Sequence, residues 1–256
     1  MSIAIEVKDL IKTYATHEGK QVNALGPVSV DIHSGDFMTI VGPSGCGKST
    51  LLKLLAGLLK KTSGSIQVSG TEVNAPHPDI GMVFQNPVLL PWKTAIENVL
   101  LPAKVLRLDM VSGRRRAHEL LEMVGLKEFA NKYPSELSGG MQQRVAIARA
   151  LIHDPSILMM DEPFGALDAM TREVMNVELL RIWRDAKKTI IFVTHSIPEA
   201  VFLGTHVMVL SNRPGRIADL VEVSLSLDRS LDIMSTDAFG VFSKRIRSQF
   251  NTQGLI

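Results

Sequence analysis

Two glycine-rich stretches carry residue types that bind phosphate. The first, Gly42-Pro43-Ser44-Gly45-Cys46-Gly47-Lys48-Ser49-Thr50, fits G-x-x-x-x-G-K-[ST]. In that pattern successive backbone N–H groups converge on phosphate oxygens, the lysine reaches the β- and γ-phosphates, and the hydroxyl meets a magnesium ion. Lys48 and Ser49 take those places. The second, Leu137-Ser138-Gly139-Gly140-Met141-Gln142-Gln143-Arg144, offers N–H groups and a hydroxyl at a helix start. It has no lysine to hold a nucleotide alone. It reads either as half a site that a second molecule completes, or as a serine-capped helix after a turn.

Two further segments bear chemistry. Ile157-Leu158-Met159-Met160-Asp161-Glu162 is a buried-type strand ending in two acids. Asp161 suits the metal side. Glu162, pointing elsewhere on an extended segment, could polarise the water that attacks a γ-phosphate; capping of the next helix is the plainer reading of such a pair. His195 follows the apolar run Thr189-Ile190-Ile191-Phe192-Val193-Thr194, which places it on the same sheet edge as Glu162. There it could sense the γ-phosphate, although spacing alone also fits a cap or a satisfied surface histidine.

Positioning these groups requires strands that end at one edge. Asp36 to Val41 reads as the short apolar strand feeding the first loop, and Leu51-Leu52-Lys53-Leu54-Leu55-Ala56 as the helix that follows it. Residues 1 to about 35 alternate in β fashion, as does Ser65 to Gly70. A proline-punctuated stretch, Asn86 to Pro102, precedes a helical block reaching about Arg149. Within the block, Arg114, Arg115 and Arg116 read as a solvated face or as a contact for an acidic partner. From Ser156 strands near 157–161, 189–194 and 206–211 flank a helix near 171–187, and Val241 to Arg247 suits a terminal amphipathic helix.

The chain has 256 residues, 45% apolar and 21% charged, enough for a substantial core. A formal net charge of +2 argues against nucleic acid as the main partner. The single cysteine, Cys46, excludes an internal disulfide and points to a reducing compartment; it is either a reactive thiol or a small residue that fits the loop. The start of the chain lacks the form of a secretion signal, and its apolar runs are far shorter than a membrane helix needs.

Taken in order, these motifs resemble those of the nucleotide-binding subunits of ATP-binding cassette (ABC) transporters, over nearly all of residues 1 to 215. The resemblance implies an α/β fold: a P-loop NTPase (RecA-like) core with an N-terminal antiparallel β subdomain and a helical subdomain inserted at about 88–150. The ATPase domain would run over 1–220 and a helical tail over 221–256. It further implies ATP and Mg²⁺, with Tyr14 under the adenine, Gly42 to Thr50 around the phosphates, and Ser49, Gln85 and Asp161 at the metal. Glu162, Gln85 and His195 would be the catalytic group, and Ala166-Leu167-Asp168 the loop following the acid pair. Subunits of this family pair head to tail, so Ser138, Gly139 and Gly140 would hold the γ-phosphate bound by a partner, expected to be an identical chain.

The other expected partners are integral membrane permease subunits, docking near Gln85 and Val88-Leu89-Leu90-Pro91-Trp92, and a periplasmic or extracellular solute-binding protein. The chain would lie peripherally on the cytoplasmic face of a bacterial cell membrane. Leu89 to Thr94, Phe164 to Arg172 and Ser211 to Ile217 resemble the branch importing nitrate, sulfonates and taurine. A soluble repair or translation ATPase fits less well, because neither a coiled-coil insertion nor a second cassette is present. Glu162 argues against a binding module that scarcely hydrolyses, and a P-loop kinase would leave the second glycine loop without a purpose.

Overall fold

The computed structural model describes residues 2–15, 19–165 and 167–252. Its first strands, β1 (Ile3–Ala15), β2 (Gln21–His33), β4 (Ser63–Val68) and β5 (Thr71–Glu72), form an antiparallel sheet in the order β2-β1-β4-β5. The second sheet contains β3 (Phe37–Val41), β6 (Ile80–Val83), β7 (Ile157–Asp161), β8 (Thr189–Val193), β9 (His206–Leu210) and β10 (Ile217–Glu222). Its order is β10-β9-β3-β8-β7-β6, parallel except for the antiparallel edge strand β10.

Strands β3, β7 and β8 are buried at every position because both faces of the sheet are covered. Alternate residues divide between two cores. Met38, Ile40, Met159, Ile191 and Met208 face the core containing α1 (Lys48–Leu55) and the inner side of the antiparallel sheet. Phe37, Val41, Met160, Phe192 and Val209 face the other core, with α6 (Ala169–Ala186) and α7 (Ile197–Leu203). Trp183 of α6 meets Phe37 edge to face at 5.6 Å and donates from its indole N–H to the Gly35 carbonyl.

Between β6 and β7 come α2 (Ala95–Val99), α3 (Leu101–Val105), α4 (Met110–Met123) and α5 (Gly139–Leu151). The proline-rich stretch is thus already helical before Pro102. Thr94 and Glu97 form a reciprocal capping box on α2, and Pro102 sits in the first turn of α3, where its missing N–H costs no bond. In α4, Arg114 and Arg115 are exposed, whereas Arg116 reaches the Leu151 carbonyl and Asp154.

The chain ends in α8 (Asp237–Thr252), which packs on α7 and β10 and pairs Arg245 with both carboxylate oxygens of Asp219. Residues 253–256 of the expected tail lie outside the described residues. Ahead of α8, Arg229 is buried and donates to the carbonyls of Val201, Phe202 and Gly204 at the end of α7; burial pulls its guanidinium pKa down to about 10.

Candidate functional site

Neighbouring strands β3, β8 and β7 bring Ile40, Val193 and Asp161 to one level. The chain leaves each strand within a residue or two of that level, so the first glycine loop, His195 and Glu162 meet at the carboxyl edge of the sheet, the usual ligand edge of a parallel α/β fold. A cleft of about 260 Å³ opens there, lined by Tyr14, Ala24, Ser44, Gly45, Gly47, Lys48, Ser49, Thr50, Glu162 and Arg213.

The loop is tightly packed from behind. Gly47 begins α1 at φ 109°, and a Cβ there would stand 2.7 Å from Leu25 Cδ2. Only glycine combines that conformation with that approach. Lys48 is buried, its ammonium donating to the carbonyls of Gly42 (2.9 Å) and Pro43 (3.0 Å). Gly42, Pro43 and Cys46 therefore form the back of the loop rather than the cleft wall. Cys46 is buried against Gly42, and burial pushes its thiol pKa up against the opposing pull of Lys48. A neutral packed thiol matches the small-residue reading. Tyr14 stands at the rim, 37% exposed, with Lys12 Nζ 4.9 Å from its ring centroid.

Ser49 Oγ donates to Asp161 Oδ1 at 2.8 Å, and burial pushes the Asp161 carboxyl above its ordinary pKa. A hydroxyl beside a carboxylate is a hard-oxygen pair suited to Mg²⁺, whose remaining ligands are characteristically phosphates and water. Glu162 departs from the extended reading. It lies past the end of β7 at φ 46°, in the left-handed region uncommon for non-glycine residues. Its N–H donates to the Val193 carbonyl and its carbonyl accepts from Gly165. This turn, not strand alternation, separates the two acids. It leaves Glu162 Oε2 3.5 Å from Gln85 Nε2 and 3.6 Å from His195 Nδ1.

Behind this group lies a polar layer that local pattern does not reveal. Glu199, on α7, is buried and accepts from Thr194 Oγ1, which in turn accepts from the Ser196 N–H. Thr194 N donates to the Ile40 carbonyl, tying the histidine loop to β3. Arg172, on α6, belongs to the same layer and donates to the carbonyls of Phe164 and Leu167. From α5, Gln143 reaches the Phe84 carbonyl and Arg149 those of Pro87 and Val88, so this helix pins both flanks of Gln85.

The second glycine loop stands apart. Ser138 caps α5, its Oγ accepting from Met141 N at 3.3 Å. A Cβ on Gly139 would meet nothing within 4 Å, and one on Gly140 only Leu167 and Thr171 at 3.5 Å. Asp168 caps α6 through Thr171, whose hydrogen bonds hold the carboxyl below its usual pKa. Ser138, Gly139, Gly140 and Asp168 do not line the phosphate cleft, and Ala166 lies outside the described residues. Arg172, Glu199, Gln143, Arg149 and Arg213 go unmarked as site residues in the sequence. Gln143, Arg172 and Arg213 fall in segments that its patterning singles out.

A family model described as ABC transporter matches residues 25–165. The chain is 52% identical over 204 residues to a taurine import ATP-binding protein of Rhizobium johnstonii, covering 80% of this chain and 78% of that one. It is 43% identical over 250 residues to an aliphatic sulfonates import ATP-binding protein of Bacillus subtilis, covering 98% and 94%. Among solved structures, a dimeric ATP-binding cassette in a post-hydrolysis state bound to ADP and Pi superposes with TM-score 0.76 at 36% identity, covering 87% of this chain and all of that one. With its phosphate loop, acid pair and second glycine loop on this fold, the chain belongs to the ABC transporter family as an ATP-binding cassette.

Proposed function

We propose that this chain hydrolyses ATP as a head-to-tail dimer and drives import of a small sulfonate- or taurine-like solute through separate membrane subunits. The observation that carries the reading is the separation of the two glycine loops: one lines a cleft with Lys48 and Glu162, while the other presents Ser138 and Gly139 outward. The dimeric cassette structure and the import names of the relatives support it.

Lys48 and the N–H groups of Ser44, Gly45 and Gly47 to Thr50 would bind the β- and γ-phosphates. Ser49 and Asp161, with Gln85, would hold Mg²⁺. When bound, Mg²⁺ neutralises charge on the phosphate oxygens. Glu162 orients the attacking water and accepts its proton, while Gln85 and His195 fix that carboxylate and register the γ-phosphate. Ser138, Gly139 and Gly140 of the second subunit complete the site. Because the second subunit's contacts to the γ-phosphate exist only in the closed pair, cleavage favours reopening.

An apolar groove of about 500 Å³ beside Gln85, lined by Ile80, Phe84, Val88, Leu101 and Val105, is the surface we assign to the permease. Trp92 nearby is 70% exposed. Among the described residues no helix is long and apolar enough to cross a membrane, so the transport path falls to other subunits. A peripheral place on the cytoplasmic face and supply of cargo by a solute-binding protein complete the proposal.

Glu162→Gln tests it. Phosphate release should slow by roughly 10² to 10⁴-fold, and light scattering should show ATP trapping a dimer. Undiminished turnover would remove Glu162 from the water-orienting role, and a monomer in ATP would overturn the shared site. ATP-dependent taurine uptake by vesicles containing the chain and its neighbouring permease checks the cargo class.

A further inference from the structure

Among the described residues the nucleotide cleft has one cation besides Lys48 on its lining, and it lies outside the nucleotide-binding motifs. Arg213 projects from the turn between β9 and β10. It is exposed, and among the described residues it makes no hydrogen bond or ion pair.

The turn itself is held rigidly against the phosphate loop. Gly215 N donates to the Ala24 carbonyl, its own carbonyl accepts from Gly26 N, and Arg216 Nε donates to the Gly26 carbonyl at 2.9 Å. Within the turn, Ser211 N donates to the Arg216 carbonyl and Ser211 Oγ accepts from Arg216 N. A Cβ on Gly215 would stand 2.1 Å from the carbonyl oxygen of Cys46, so this backbone lies directly on that of the phosphate loop. An arginine here is fixed at its base and unpaired at its tip.

The charge balance gives that tip a task. The cleft already holds Glu162, with Asp161 behind Ser49, while Lys48 supplies the one buried positive charge beside them. A nucleoside triphosphate adds several negative charges, and a guanidinium is the side chain best matched to phosphate oxygens.

We propose that Arg213 is a nucleotide-binding residue that pairs with the phosphate chain from the wall of the cleft that the β9–β10 turn forms, adding affinity without taking part in cleavage. The inference rests on the cleft being the ATP site. Calorimetry on the full chain with ATP, ADP, AMP and adenosine tests it, comparing the native protein with Arg213→Ala and Arg213→Lys.

The alanine variant should lose roughly 5- to 20-fold in affinity for ATP and ADP, and the lysine variant less. The loss should shrink as salt is raised, and adenosine binding should be unchanged. Equal ATP affinity for native and Arg213→Ala chains would overturn the proposal, as would an equal loss for adenosine, which would move the contact to the base or ribose. Failure of the native chain to bind ATP would overturn the underlying site assignment instead. Melting curves of the variants matching the native one show that the exposed substitution leaves the fold intact.

Discussion

The two glycine-rich loops begin helices in opposite surroundings. Around the first, the chain closes in: Leu25 and Ala24 press on Gly47, Leu210 on Gly42, and Lys48 binds the loop's own carbonyls. Around the second, Ser138 is exposed and Gly139 has open space where a side chain would stand. The first is a finished cradle that one chain preorganises. The second is held from behind by α5, whose Gln142 bonds the Pro134 and Leu137 carbonyls and whose Gln143 and Arg149 bond the Gln85 segment, and its outer face is open. The difference teaches that loops of similar composition can be packed in opposite ways, and it is on this packing that the proposed division into a site and its complement rests.

The sharpest way to break this contrast is at Lys48. Lys48→Ala should weaken ATP binding by about 2–3 kcal/mol, roughly 30- to 150-fold, because charge-assisted bonds to phosphate are lost within a single chain. Calorimetry with unchanged affinity would show that the first loop does not need its cation. Ser138→Ala should behave differently. ATP affinity of the monomer should stay constant, while ATP-driven dimerisation of a Glu162→Gln background weakens by about 1 kcal/mol, or about fivefold. Losing the helix cap should also lower Tm modestly, since such caps contribute about 1 kcal/mol. Equal effects on monomer binding and dimerisation would erase the distinction between the loops.

The smallest expected effect concerns the layer beneath the first site. Burial raises the pKa of Glu199 above its ordinary value, outweighing Thr194, Asn176, Arg172 and His195, which act the other way. The folded chain therefore holds this proton more tightly than the unfolded one, and stability from this group is lost as pH rises through the raised folded value. Glu199→Gln lacks that loss, so its Tm should gain on the native Tm between pH 5 and pH 8. A constant Tm difference across that interval would show that Glu199 does not titrate as its burial implies.

Much of the contrast was legible in residue order. The apolar runs of β3, β7 and β8 announced fully buried strands, and the phosphate loop announced its own helix. Other features were hidden for physical reasons. The Asn86 to Pro102 stretch read as broken by proline, yet Pro102 occupies a first-turn position where proline is tolerated and Thr94 starts a helix earlier. Arg149 binds carbonyls 61 and 62 positions away, and Glu199 is buried beneath a loop whose visible chemistry is His195. Such contacts leave no periodic trace, because neither partner's neighbours depend on them. Glu162 reads as extended backbone in the sequence because a two-residue acid pair carries no sign of the turn between its members.

That turn sets stability against function at a single position. A glycine at 162 would adopt φ 46° without the steric penalty, of roughly 1–2 kcal/mol, that the left-handed region imposes on an L-residue. The chain should therefore fold more firmly without the acid that we propose orients the attacking water. Under selection for stability alone residue 162 would drift toward glycine, and engineering for a higher Tm would be expected to erase the activity there first.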